Sequence, residues 1–154
     1  RKIVNYFRYI HFCGQISDPI FNPNLITFLS MCKDANKGST MHTAASQRPI
    51  SWYKEAFDTN PDTRWIFGLD GLPEESCMYR VNQDGEKLFE AMKMGAKKGL
   101  QIDWQYIVFS YNEDHVEEAY NMAKDNGIQF IVNYSGRWTG EKDPYKPRNP
   151  KFST

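Results

Sequence analysis

The stretch His11-Phe12-Cys13-Gly14-Gln15-Ile16-Ser17-Asp18-Pro19 decides the fold. Ahead of it, Tyr6 to Phe12 is an apolar, aromatic segment of strand length. Behind it, Asn22-Pro23 reads as a helix start, with Asn22 as N-cap and Pro23 in the first helical position. A strand breaks at a glycine, makes a polar loop and returns as a helix. In parallel α/β sheets, ligands bind beyond the carboxyl ends of strands at such points.

Outward from this pivot the pattern repeats. Residues 6–13 form a first strand, apolar on both faces as buried parallel strands are. Leu25, Ile26, Phe28, Leu29 and Cys32 recur at helical spacing, and Gly38 ends that unit. Ser39 to Thr43 is a second strand, followed by a helix from about Ser51 that carries Trp52, Tyr53, Ala56 and Phe57. Asn60-Pro61-Asp62 breaks the helix, Arg64 to Leu69 is a third strand, and Asp70-Gly71 closes it with a turn pair. Residues 84–98 form a helix with Gly99 beyond its end, and Ile102 to Phe109 a fourth strand. Asn112 caps a helix through Ala123, Gly127 stops it, and Ile128 to Tyr134 is the fifth strand. The chain after Ser135 has little pattern, so 139–154 is expected to be a flexible tail.

The order β-α-β-α-β-α-β-α-β, in units of roughly 30 residues, predicts an α/β fold with a parallel sheet and right-handed crossovers. Periodicity leaves an open doubly wound sheet and a section of a (βα) barrel both standing. Polar or glycine residues at successive strand ends, from Gly14 through Thr43 and Asp70 to Gln105 and Asn133, favour the partial TIM-like barrel, where one ligand lies across them all.

Bulk properties narrow the function. The 154 residues are 40% hydrophobic and 25% charged, with Lys+Arg and Asp+Glu at 19 each. A net charge of zero gives no field for bulk capture of nucleic acid or anionic membrane. No apolar run approaches the ~20 residues of a membrane helix, so a cytoplasmic protein is expected. Cys13, Cys32 and Cys77 are far apart, with no CxxC and no zinc-like Cys/His spacing, and read as reduced thiols. His11 and His42 lack a second ligand at metal-binding spacing, and His115 reads as a first-turn surface residue. The many aromatics, without a basic stripe beside them, read as core. No GxGxxG or Walker-type loop appears.

Several motifs in register carry a resemblance: Phe12-Cys13-Gly14 with Asp18-Pro19; Thr43 to Ser46; Phe67-Gly68-Leu69-Asp70-Gly71-Leu72 with Tyr79-Arg80; and Trp104 to Phe109 with Asn112-Glu113. Together they resemble radical SAM proteins of the kind that often carry a SPASM domain, across about residues 6–138. The resemblance implies a partial (βα) barrel with S-adenosylmethionine across the strand ends beside a 4Fe-4S cluster, generating a 5′-deoxyadenosyl radical that modifies a peptide, protein or small metabolite.

It also implies residue roles. The Gly14 to Pro19 loop looks like the element that holds the methionyl amino group, with Gln15, Ser17 and Asp18 as acceptors. Thr43 and Ser46 look like the ends of the family's Thr-Asn-Gly-Ser turn. Asp70 matches a strand-end polar group facing the cavity, and Gln105 lies on a strand that passes the ribose and adenine. Arg80 either holds a substrate carboxylate by a bidentate pair or pairs with Glu74 or Glu75. Two departures stand out: the turn reads Thr43-Ala44-Ala45-Ser46, and the cluster-binding CxxxCxxC is not in the sequence. The expectation is that this segment lies upstream of Arg1, that 1–138 is a barrel section lacking its first strand, and that this chain alone does not bind the cluster. The alternative is a non-catalytic binding or scaffold protein that kept the barrel section.

Overall fold

The computed structural model describes residues 4, 6–14 and 16–152. Five strands, β1 (Tyr9–Phe12), β2 (Gly38–Thr43), β3 (Arg64–Gly68), β4 (Ile102–Ile107) and β5 (Gln129–Asn133), form one sheet in chain order, every neighbouring pair parallel. The connections carry α1 (Leu25–Asp34), α2 (Ile50–Thr59), α3 (Gly85–Lys97) and α4 (Val116–Asp125). Sequential parallel strands joined by right-handed crossovers put every helix on the same side of the sheet. This is the arrangement of a barrel segment. Among the described residues, no helix is long and apolar enough to cross a membrane.

Strand alternation then separates two environments. Met41, Trp65, Phe67, Trp104 and Tyr106 face the helices and are fully buried. Trp65 and Phe67 stack at 5.8 Å, and Phe57 of α2 meets Trp65 edge-on at 5.0 Å. The Trp104 indole N–H donates to the Leu69 carbonyl at 2.7 Å, so the ring is buried without stranding its polar atom. The opposite face carries His42, Arg64, Ile66, Gly68, Asp103 and Gln105, in register across β2, β3 and β4. There the Arg64 Nε donates to buried Asp103 at 2.6 Å.

Some element ends differ from the sequence reading. The first strand is shorter, Tyr9–Phe12 rather than 6–13. Asn22 does not cap α1; its Oδ1 accepts from the Asn24 N–H at 2.9 Å, making a turn ahead of a helix that starts at Leu25. Gly38 opens β2 instead of ending α1, and Asn36, at φ 52, takes the left-handed position. A Cβ on Gly38 would lie 2.4 Å from the Tyr9 ring, which explains a glycine there. Asn112 is fully buried and closes β4, accepting from the Phe109 N–H at 2.7 Å and donating to the Ile107 carbonyl at 3.1 Å; α4 begins only beyond it, at Val116. His115 stands at the α4 start, its Nδ1 2.6 Å from Glu75.

The stretch after β5 makes contacts with the sheet's loops. Ser110 donates its N–H to the Tyr145 carbonyl at 3.0 Å and its hydroxyl to the Pro144 carbonyl at 2.6 Å. The Glu113 carboxylate accepts from the Arg148 and Asn149 N–H groups at 2.9 and 2.8 Å, and Phe152 is buried against Tyr134.

Tyr53 and Phe57 together seat α2 on the Trp65–Phe67 pair, Phe57 against Trp65 and Tyr53 against both rings. Phe57→Ala should cost about 3–5 kcal/mol, seen as a lowered urea midpoint with an unchanged m-value.

Candidate functional site

The loop after β1 folds back on Gly14. A Cβ at that position would sit 1.8 Å from the Ser17 carbonyl oxygen, so no larger residue fits this turn. The fold-back brings Asp18 over the end of β2. Its Oδ1 accepts from the Thr43 hydroxyl at 2.8 Å and the Ile20 N–H at 3.1 Å; its Oδ2 accepts from the Ala44 and Ala45 N–H groups at 2.8 and 3.2 Å. One carboxylate thus starts the Pro19–Phe21 turn of 3-10 helix and holds the Thr43-Ala44-Ala45-Ser46 turn. Both Asp18 oxygens are engaged within the chain. Ser46 is buried behind this turn, its hydroxyl oxygen accepting from the Asp84 N–H at 2.7 Å.

The end of β3 is braced in the same manner. Asp70 is fully buried and accepts from the Arg80 Nε at 2.7 Å and the Ile107 N–H at 2.9 Å. Burial pushes its carboxyl above the ordinary range; the Arg80 charge, the Ile107 bond and the Arg80 bond act in the opposite direction. Arg80 therefore pairs with Asp70, not with Glu74 or Glu75. Glu75 is taken by His115 and by the Leu72 N–H at 2.9 Å. Gln83 joins the two strand ends, its Nε2 donating to the Ala44 carbonyl at 2.6 Å and the Gly68 carbonyl at 2.9 Å.

These braces frame a cavity of about 410 Å³ at the carboxyl ends of the strands. Cys13, Gly14, Ser17, Asp18, His42, Thr43, Gly68, Arg80 and Gln105 line it. Of the residues singled out in the sequence, Gly14, Ser17, Asp18, Thr43, Arg80 and Gln105 meet here. Asp70 and Ser46 stand behind the wall, and Asp70 reaches the cavity only by fixing Arg80. Gln15 lies outside the described residues. His42 is held below its ordinary range, by burial first and then by His11 and Arg64, against the opposing pull of Asp103. It presents a neutral imidazole at pH 7.

A second cavity of about 640 Å³ adjoins the first, with Phe21, Ala45, Gln47, Tyr79, Gln83 and Tyr145 in its wall. Arg80, Asp18 and Ala44 border both. Sequence reasoning missed this second space. Gln83 sat in an unpatterned loop, and Tyr145 in a stretch without periodicity; nothing in spacing joins them.

No family model matches the sequence, and no curated protein sequence matches it. Solved structures do. Streptococcus suis SuiB bound to S-adenosylmethionine superposes with a TM-score of 0.73 at 14% identity over 92% of this chain, and SuiB bound to precursor peptide SuiA with 0.71 at 14% over 92%. Native anSMEcpe with bound AdoMet and Kp18Cys peptide superposes with 0.62 at 15% over 94%. The chain spans about a third of SuiB, 32% and 31%, and 44% of anSMEcpe. At this identity the likeness shows the fold: parallel βα units forming part of a barrel.

Two outcomes follow from the braces. Asp18→Ala strips three N–H groups and a hydroxyl of their acceptor and should cost about 2–3 kcal/mol, with Asp18→Asn intermediate, read from urea midpoints. Asp70, with its folded pKa raised, gives stability that is fully present below its ordinary 3.8 and is lost as pH rises through the folded value. The native chain should therefore gain stability relative to Asp70→Asn as pH falls from 7 toward 3.8, measured by unfolding at a series of pH values.

Proposed function

We propose that the chain is the S-adenosylmethionine-binding part of a radical SAM-type enzyme that acts on a peptide. The observation that carries this is the meeting of Gly14, Ser17, Thr43, Arg80 and Gln105 around one cavity beyond the strand ends. S-adenosylmethionine offers a carboxylate, an ammonium, a ribose and an adenine, and the wall has chemistry for each. Arg80 is anchored to Asp70 through Nε, and its terminal nitrogens make no hydrogen bond among the described residues, which leaves them for a carboxylate. The Ser17 hydroxyl is the acceptor for the ammonium, while Asp18 positions the loop. The Gln105 amide, half-buried in the wall, serves ribose hydroxyls or adenine edges. The peptide reading is supported by the peptide-bound states of the fold relatives.

In such enzymes the cofactor supplies a 5′-deoxyadenosyl radical when bound beside a 4Fe-4S cluster. The cluster does not fit the residues present. Cys32 is buried and lifted above its ordinary range by burial, Cys13 and Cys77 are exposed, and among the described residues no three His, Cys, Asp or Glu side chains are placed to hold a metal. Its thiolates would come from sequence outside these 154 residues. That same observation favours a second reading, a binding module without chemistry. Anaerobic reconstitution of the longest natural polypeptide with iron and sulfide, followed by assay for 5′-deoxyadenosine, separates the two.

Calorimetric titration with S-adenosylmethionine tests the binding itself. Arg80→Gln should weaken it by about 1.5–3 kcal/mol, roughly 10- to 150-fold, and Lys54→Ala on α2 should leave it unchanged. Absence of binding by the native chain at millimolar ligand overturns the proposal.

A further inference from the structure

The geometry points to the second cavity as the seat of an aromatic side chain of the bound peptide; this rests on the peptide reading above. Tyr79 stacks on Phe109 at 4.2 Å, and Phe109 stacks on Tyr111 at 5.7 Å, so Tyr79 is the end ring of a column of three. Tyr145 stands edge-on to Tyr79 at 5.3 Å. Tyr79 is 45% exposed, Tyr145 38% and Phe21 47%, and all three border the cavity. Large rings left this open to water around one space have unused contact area, and a ring seated on Tyr79 extends the column. Ring pairs at such distances contribute beyond the area they bury.

A second, independent observation lies in the same wall. Gln83 is only 7% exposed, and its Oε1 is buried without a hydrogen-bond partner. The amide cannot turn to find one, because its Nε2 is committed to the Ala44 and Gly68 carbonyls. A buried acceptor left unpaired is costly, and the donor has to come to it. The Oε1 has no surface open to the cavity, so the N–H of a peptide bond beside the seated ring reaches it only as the Gln83 side chain shifts on binding. Arg80 borders both cavities, so a residue anchored here places the adjoining backbone next to the cavity assigned to the cofactor.

The test uses N-acetyl-phenylalaninamide as probe and N-acetyl-leucinamide, apolar and of similar size, as control, followed by ¹⁵N–¹H NMR. The phenylalanine probe should shift the Tyr79 and Val81 backbone signals and the Gln83 side-chain amide, with weaker effects from the leucine control. Tyr79→Ala should weaken the phenylalanine probe roughly three- to tenfold, and Tyr79→Phe should restore it. Equal shifts from the two probes, unchanged affinity in Tyr79→Ala, or larger shifts from adenosine than from either probe overturn the inference. The same spectra titrated with S-adenosylmethionine read Gln105 and His42 instead. Cofactor shifts without probe shifts overturn this inference alone; probe shifts without cofactor shifts overturn the cofactor proposal and leave the aromatic seat standing.

Discussion

Right-handed crossovers between sequential parallel strands are the constraint from which the rest of the molecule descends. Because every connection returns on the same side, the helices shield one face of the sheet and leave the other to polar side chains. The residues of β3 and β4 divide accordingly. Trp65, Phe67, Trp104 and Tyr106 alternate toward the helices and form the core, while Arg64, Ile66, Asp103 and Gln105 alternate away from it. The same winding delivers every βα loop to one end. A cavity at that end needs no special device beyond loops that hold still.

Holding them still falls to three buried or half-buried polar side chains. Asp18 ties the β1 loop to the β2 turn, Gln83 ties the β2 turn to β3, and Asp70 ties β3 to β4 through the Ile107 N–H. Each reaches backbone groups that a strand end leaves without ladder partners, and such groups have to be satisfied when water is excluded. Tying loop to loop also couples their positions. A shift of the β1 loop pulls on Ala44, and through Gln83 on Gly68.

The repeating βα order, the approximate elements and the set of strand-end residues were legible because strand and helix periods act locally, over a few residues. The roles inside that set were not. Asp18 and Asp70 are both acidic residues just beyond a strand, yet one latches a neighbouring turn and the other disappears beneath Arg80. Nothing in composition distinguishes them, since the difference lies in partners 25 to 37 positions away. Asn22 and Asn112 failed as helix caps for the same reason: each found closer backbone groups to satisfy. Gln83 was invisible, being a polar residue in a loop whose neighbours become neighbours only after β2 and β3 pair.

Arg80 is where these contacts converge. Its charge is made useful by a carboxylate that is itself badly placed: Asp70 is buried completely, and burial alone favours its neutral form. Arg80 and the Ile107 N–H work against that tendency, so Asp70 and Arg80 each depend on the other. A guanidinium held this way through Nε loses little further freedom when its remaining nitrogens take a ligand, unlike a solvated surface arginine that must be ordered on binding. It also stands between two cavities, so a group that draws it toward one withdraws it from the other. The local glycine reinforces the placement, since a Cβ at Gly68 would come within 3.2 Å of the Arg80 terminal nitrogen. A side chain there would crowd the guanidinium, and the residue that borders both spaces would no longer be set by Asp70 alone.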